Sequence, residues 1–415
     1  MKILWITNIM MPPLAKAKAL PVPAIGGWMY SSLKHLHAQS GIELAVATVY
    51  NGKQYEASCI DGIKYYLLPL DGGKTVEYNP GLEAYWHRVH DDFNPDVVHI
   101  HGSEYPHGLA YVNACGPQGV VVSIQGIISR IARYYTAGIA HNSIKRCLTF
   151  RDLIKNDGIL KRQKLFEERG RLEIELLSRI NHIIGRTEWD KAHTWAINPG
   201  AQYHHCGETL RDSFYSHKWS YDNCEPHSIF VSQASYPIKG VHMLFKALPL
   251  VLRHYPDTKV YVAGYDPTAA PWWRIDGYGK YLKKQIARLG ISEHIEFTGT
   301  LNEEDMCNRY LKSNVFVCCS AIENSPNSLG EAQLLGMPYV ASFVGGVPEI
   351  TDMNSEALYR FEETEMLAKK ICNIFSQQDN ASSAPFDKLM YDSTTNTKNL
   401  LTIYSIVADN NNSNL

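Results

Sequence analysis

The chain has no C-x-x-C pair and no apolar run near the ~18 residues of a membrane span. It also lacks any repeat at a solenoid period. Its nine cysteines are scattered, with one adjacent pair at Cys318-Cys319, so no disulfide framework or zinc ribbon is encoded. Several fall in apolar runs, where Cys behaves as a small hydrophobe; we expect a reduced, cytoplasmic protein. The apolar start, MKILWITNIM, meets Pro12-Pro13 too soon for a secretory signal and reads as a first buried strand. A net charge of −2 gives no global electrostatic argument for nucleic acid, and none is expected as a partner. No D-x-D pair lies in a suitable loop and no His/Cys/Asp/Glu cluster has ligand spacing, so no metal site is expected. What remains is an ordinary globular composition, 45% hydrophobic and 20% charged, over 415 residues, enough for two α/β domains with a core each.

The most informative stretch is Val315 to Ile350. Val315 to Cys319 is short and apolar, as a buried parallel strand is. A polar turn follows, Ser320 to Pro326, then a helical pattern from Asn327 to Leu335, ended by Gly336 and Pro338. A second buried strand, Tyr339 to Ser342, leads into Gly345-Gly346-Val347-Pro348. A helix N-terminus after small polar residues presents unpaired N–H groups and a positive dipole end, a seat for phosphate. Glu323 in the loop and Glu331 on the helix frame it, and neither has a Lys or Arg at helical spacing. A carboxylate accepts two hydrogen bonds in a fork, which suits vicinal sugar hydroxyls. Two solvated helix-start acids would look the same from sequence.

Along the rest of the chain, Lys2 to Asn8 is the first strand, followed by a proline-marked loop ending in Ala24-Ile25-Gly26-Gly27-Trp28 and a helix through Leu36. This diglycine is neither the G-x-G-x-x-G fingerprint nor a P-loop, and by itself it is a turn. Strands follow at Ile42 to Tyr50 and Ile63 to Leu68, and Pro95 to Gly102 is a buried strand ending in His101-Gly102. Doubly wound sheets gather ligands at the carboxyl ends of their strands, which places His101 for function and leaves His99 within the sheet. Val120 to Gly126 is the next strand. Arg130 to Arg179 is helical and basic, twelve Lys or Arg against six Asp or Glu, with Leu160, Leu165, Phe166, Leu172, Leu176 and Leu177 between the charges. It is either a solvated amphipathic helix pair or a surface for anionic lipid. Thr187 before Glu188-Trp189-Asp190 is an N-cap. A second α/β pattern starts at Ser228, with Lys239-Gly240 before a long helix, and a C-terminal helix spans about Thr395 to Val407.

Glu323-x7-Glu331, Gly336-Met337-Pro338 and Gly345-Gly346-Val347-Pro348-Glu349 together resemble the nucleotide-sugar signature of glycosyltransferase family 4, retaining enzymes of the GT-B fold. The resemblance implies two doubly wound, Rossmann-like domains facing across a cleft. An N-terminal acceptor domain would cover 1–197, a linker 198–226, and a donor domain 227–385. Residues 386–415 would form a helix returning to the first domain and a polar tail. It implies that Gly26 and Gly27 lie against the donor diphosphate, which Lys239 and the helix start Asn327, Ser328 and Leu329 also hold. Glu331 would take the ribose, and His101 and Glu323 the transferred sugar. No separate cofactor is implied: the donor is a UDP- or GDP-linked sugar, the acceptor a glycan or lipid-linked glycan. The setting is surface polysaccharide or glycolipid assembly, cytoplasmic or at the inner face of the membrane, with peripheral contact through Arg130–Arg179. The pattern is broken at two places: Gln125 stands where relatives carry His, and Ser232-Gln233 where they carry Gly-Arg. Those departures support an alternative, a non-catalytic nucleotide-sugar-binding protein; a nucleotide-sugar epimerase is a second.

Overall fold

The computed structural model describes residues 1–23, 26–377 and 388–412, which fall into two compact units. Ala24 and Ile25 of the diglycine loop, the expected boundary at 385/386 and the tail from 413 lie outside the described residues.

Unit 1 comprises Met1–Arg130, Phe166–Leu210 and Lys388–Leu415. Its strands are β1 (Lys2–Thr7), β2 (Glu43–Tyr50), β3 (Glu56–Ile60), β4 (Ile63–Pro69), β5 (Val97–His101), β6 (Val120–Ser123), β7 (His182–Gly185) and β8 (Gln202–His205). They lie in the order β3-β4-β2-β1-β5-β6-β7-β8, parallel except for β3 against β4. The alternation of β1 shows why both faces are covered. Leu4 and Ile6 enter one core with Trp86, Val98 and Ile100, while Ile3 and Trp5 enter the other with Leu33, Leu36 and Tyr404. The helix Ser393–Asn412 supplies Leu400, Ile403, Tyr404 and Val407 to that second core, one face at i, i+3, i+4, i+7. Its Tyr404 hydroxyl accepts from the Trp5 indole at 2.9 Å and meets His99 Nδ1 at 2.6 Å.

Unit 2 comprises Ile131–Leu165 and Arg211–Asp387. Its strands are β9 (Glu225–Val231), β10 (Lys259–Val262), β11 (Ile295–Phe297), β12 (Ser313–Cys318), β13 (Tyr339–Ser342) and β14 (Leu358–Tyr359), in the order β11-β10-β9-β12-β13-β14 and all parallel. Five of the six residues of β12 are fully or almost fully buried, and Phe230, Tyr310 and Phe316 pack ring against ring beside it.

Three expectations change. Residues 198–226 are not a linker. β8 is an edge strand of the first sheet, and from Arg211 the chain is already part of unit 2. Phe214 packs on Tyr310, and Trp219 donates from its indole to Ser313 O at 2.8 Å. The stretch reads as irregular and polar because its few buried anchors have no period. Second, residues 1–197 are not one domain, because Ile131–Leu165 belongs to unit 2. There Ala137 O bonds the buried His242 at 2.9 Å, and the helix His141–Cys147 packs on the helix Gly277–Leu289. Third, the proline-marked loop holds a short helix, Pro12–Ala17, whose fixed proline φ suits a first turn. The basic segment resolves inward: Leu176 and Leu177 are core residues of unit 1, Leu172 packs against them, and none of the six apolar residues singled out there is exposed.

Candidate functional site

In unit 2, β9 and β12 are neighbours, yet the chain runs from β9 outward to β10 and β11 on one side and from β12 to β13 and β14 on the other. The loops after β9 and β12 therefore diverge at a topological switch point, where such sheets bind ligands. Lys239 is on the first loop and Glu323 on the second, and Lys239 Nζ meets Glu323 Oε1 at 2.7 Å. Ser320 Oγ donates to the same oxygen at 2.7 Å, while Glu323 Oε2 accepts no hydrogen bond from the described residues. Burial alone would lower the Lys239 pKa; the Glu323 carboxylate more than offsets this and raises it, so the ammonium stays charged. Backbone contacts fix the pair: Ala321 N donates to Ile238 O at 2.7 Å, and Gly346 N to Glu323 O at 3.1 Å. Gly345 has φ +55°, and any Cβ there would overlap the Glu323 carbonyl oxygen. The Gly-Gly turn is thus the backbone clamp of Glu323.

The helix Asn327–Leu335 begins at Pro326, with no side chain capping it. The Leu329 N–H donates to Pro326 O at 2.9 Å, so Leu329 offers no amide; those of Asn327 and Ser328 bond no described acceptor. Glu331, one turn on, is buried, and both its oxygens are gripped by Arg211, Nε to Oε1 and Nη2 to Oε2, each at 2.6 Å. Burial raises the Glu331 carboxyl pKa and the guanidinium pulls it back; burial likewise opposes the Arg211 charge, which Glu331 more than restores. Both carboxylates that have no cation at helical spacing thus have one across the fold.

In unit 1, β1 and β5 are the corresponding divergence, and His101 ends β5. Its ring lies 4.1 Å from that of Trp5 and stacks on His99 at 3.8 Å. Gly26, at φ 82°, caps the helix Gly27–His37, whose Trp28 ring lies 6.4 Å from His101. The diglycine and His101 are thereby neighbours at one end of the sheet. The Nε2 atoms of His99 and His101 are buried and without a hydrogen-bond partner among the described residues. Nearby, Gln125 Nε2 and Arg186 Nη2 both donate to Glu208 Oε1, at 3.2 and 2.8 Å. Arg186 and Glu208 are buried and Gln125 half-buried. Gln125 was expected only as a departure from the family pattern, and Arg186 and Glu208, like Arg211, were not among the residues expected at a site. Arg186 directly precedes the Thr187 N-cap, and nothing in that local pattern records its burial.

Burial pushes His99 down to about 3 and His107 to about 4, and drives His101 well below its ordinary 6.5, with Arg186 opposing protonation of His99 and His101. These imidazoles stay neutral when folded but take protons at about 6.5 when unfolded, so the unfolded chain binds more protons as pH falls. Their stability contribution is full above about 6.5 and is lost from there toward 4, at about 1.4 kcal/mol per pH unit for each histidine. Urea unfolding from pH 7.5 to 4.5 should show that slope, and a flat profile would contradict neutral burial.

Among the described residues no group of three His, Cys, Asp or Glu could hold a metal ion, and no helix is long and apolar enough to cross a membrane.

Residues 215–385 match the family described as glycosyl transferases group 1. Spore coat protein SA of Bacillus subtilis is 28% identical over 156 residues, 36% of this chain and 40% of that protein. The GDP-mannose-dependent alpha-(1-6)-phosphatidylinositol monomannoside mannosyltransferase of Mycolicibacterium smegmatis is 31% identical over 120 residues, 27% of this chain and 29% of that protein. The matched stretches thus span 40% or less of these curated relatives. Among solved structures, sucrose-phosphate synthase of Thermosynechococcus elongatus superposes with a TM-score of 0.66 at 13% identity, over 98% of this chain and 96% of that one. Such a likeness bears on fold alone. With two doubly wound sheets in the chain, the fold is GT-B, two Rossmann-like domains.

Proposed function

We propose that the chain is a retaining glycosyltransferase that moves a sugar from a nucleotide-sugar to a glycan or lipid-linked acceptor, in surface polysaccharide or glycolipid assembly at the inner face of the cytoplasmic membrane. The observation that carries the reading is the Lys239–Glu323 pair at the switch point of unit 2, with Glu323 in the loop that leads into an uncapped helix N-terminus. The donor diphosphate sits on the Asn327 and Ser328 amides and Lys239. As the bond between the anomeric carbon and the phosphate oxygen lengthens, negative charge grows on the leaving group, where a fixed ammonium and a helix dipole stabilise it. Glu323, anchored through Oε1, has Oε2 left for a hydroxyl of the transferred sugar. Each Glu331 oxygen keeps a lone pair beside its Arg211 bond, toward the ribose. In unit 1, His101 is neutral and has an unpartnered Nε2, a group that bonds sugar hydroxyls without adding charge; Gly26 and Gly27 leave the backbone bare for the diphosphate.

Retention is proposed through same-face, dissociative transfer. A carboxylate nucleophile is what a two-step route needs, and both carboxylates of unit 2's site are tied to cations. The donor is a UDP- or GDP-linked sugar. The reading is tested by thermal shift of the whole chain with UDP-, GDP- and ADP-sugars, and by slow donor hydrolysis over hours. One donor that stabilises the protein and is cleaved supports transfer. Binding with no cleavage, with or without acceptors, favours the non-catalytic reading, whose basis is Gln233 turned onto Ser235 Oγ at 2.9 Å where relatives carry Arg. No binding to any donor would refute the proposal.

A further inference from the structure

The helix Phe150–Lys155 in unit 2 is inside out. Thr149 and Asp152 close a capping box and are buried, whereas Phe150, Leu153 and Ile154 are each 64–65% exposed, at i, i+3 and i+4 on one face. A helix in a globular protein normally turns that face to the core. Beside it, the loop after β10 carries Tyr265, Trp272 and Trp273, the last two 76% and 56% exposed. Helix and loop together line a cavity of about 730 Å3, with Arg151, Ile154 and Lys155 on one wall and Tyr265, Trp273 and Arg274 on the other. The apolar side chains thus form one continuous outward patch, of a kind that marks an interaction surface.

The charges around it say what that surface meets. Lys145, Arg146, Lys155 and Arg274 are exposed and make no ion pair with the described residues. The carboxylates nearby are all engaged within the unit: Asp152 in the capping box, Asp157 with Arg151 and Arg162, Asp266 with Thr268, and Asp276 with Gly279 N. Lys155 and Arg274 line the cavity beside an apolar face rich in Trp, Phe and Leu, and Lys145 and Arg146 stand on the helix just before it in the chain, His141–Cys147. That combination matches the boundary of an anionic bilayer, where indoles sit at headgroup level and cations meet lipid phosphates. An apolar protein surface would meet the patch but leave the four cations unanswered.

We propose that this face of unit 2, the helix Phe150–Lys155 with the Tyr265–Arg274 loop, is the surface by which the chain lies on an anionic membrane. It makes specific the membrane setting of the proposed function: within the expected segment Arg130–Arg179 the contact falls on Phe150–Lys155 and not on the leucines of the helix Ile159–Arg179, none of which is exposed, and it extends to the loop 265–274. The measurement needs no donor, so its failure and the failure of the transferase reading are separable.

The test is vesicle co-sedimentation of the whole chain, on phosphatidylcholine alone and on phosphatidylcholine with phosphatidylglycerol in about a 7:3 ratio. Binding to the mixed vesicles should exceed that to the neutral ones about tenfold or more and weaken with salt. Trp272→Ser with Trp273→Ser, and separately Lys155→Glu with Arg274→Glu, should each lower it by about tenfold or more. Brominated acyl chains should quench tryptophan emission of the parent and not of the double tryptophan variant. All four residues are exposed, so melting midpoints and donor-induced shifts should stay those of the parent. Absence of vesicle binding by the parent, or variants that bind as the parent does, overturns the proposal. So does a variant that loses only self-association, because the patch is then a contact between copies.

Discussion

Lys239→Ala is expected to lower kcat/KM for donor cleavage or transfer by about 10² to 10³, the range for removing one preorganised stabiliser of a developing anion. Lys239 Nζ is held 2.7 Å from Glu323 and the lysine side chain is 23% exposed, so its charge acts at a fixed point in a partly desolvated site. The variant has a second effect, since Glu323 keeps its charge and loses its cation; unfolding should become easier by about 1–3 kcal/mol. Activity therefore has to be measured well below the lowered melting midpoint. Glu323→Gln separates the two roles. It keeps the lysine and the Ser320 hydrogen bond but removes the carboxylate that offsets burial, so the Lys239 pKa falls. At a pH where the amine is still protonated, leaving-group assistance should survive better than sugar positioning, with KM moving more than in Lys239→Ala. The pair imposes no limit near neutrality: a lysine raised above its ordinary 10.5 contributes stability at every pH below that value and loses it only as pH rises through the folded pKa. An alkaline limb below pH ~10 in the rate profile would belong to another group. Full activity in Lys239→Ala would remove this residue from the mechanism.

Arg211→Ala should cost about 3–5 kcal/mol of stability, the toll of leaving one partner of a buried ion pair alone. Two of its three guanidinium nitrogens, Nε and Nη2, bond Glu331 at 2.6 Å, and the two side chains are 14% and 5% exposed. In a unit of this size each kcal/mol moves the melting midpoint by about 2–4 °C, so a fall of about 6–20 °C is expected. Removing both charges, as Arg211→Met with Glu331→Met, should restore most of that loss, because the desolvation of two ions is relieved together. The double variant then distinguishes two roles for Glu331. If the carboxylate also holds the ribose, the protein regains stability but still fails to be stabilised by donor. If it only fastens Arg211 to the helix Asn327–Leu335, donor binding returns with stability. A double variant that is stable and binds donor as the parent does would strike Glu331 from the binding site.

The strand-loop-helix-strand unit around Glu323 was legible because each of its signals is local. The apolar run of β12, the helix Asn327–Leu335 and the strand Tyr339–Ser342 lie where the pattern puts them, within a residue or two at β12. The missed strands fail for the same reason in reverse. β3 alternates at an edge with exposed residues, β8 is four residues with two histidines, and β14 is two residues long. None offers a period long enough to detect. The excursion Ile131–Leu165 was also invisible, since helical amphipathicity shows that a face is buried and not which core buries it.

By itself the sequence determined the alternation of strands and helices, the chain reversals at Gly336 and Gly345, and the places of His101 at a strand end and of Lys239 and Glu323 in loops after strands, while the two doubly wound domains were what the family resemblance implied. The former follow from periods of 2 and 3.6 residues and from the few residues that permit a turn. Tertiary structure alone decided the partners. Arg211 and Glu331 are 120 residues apart, Lys239 and Glu323 are 84 apart, and Trp5 and Tyr404 are 399 apart. A buried charge must find an opposite charge somewhere, but chain chemistry within one turn carries no record of which distant segment the fold will set against it. The outward helix Phe150–Lys155 is the same lesson, for its apolar face reads as core in one dimension and stands in solvent in three.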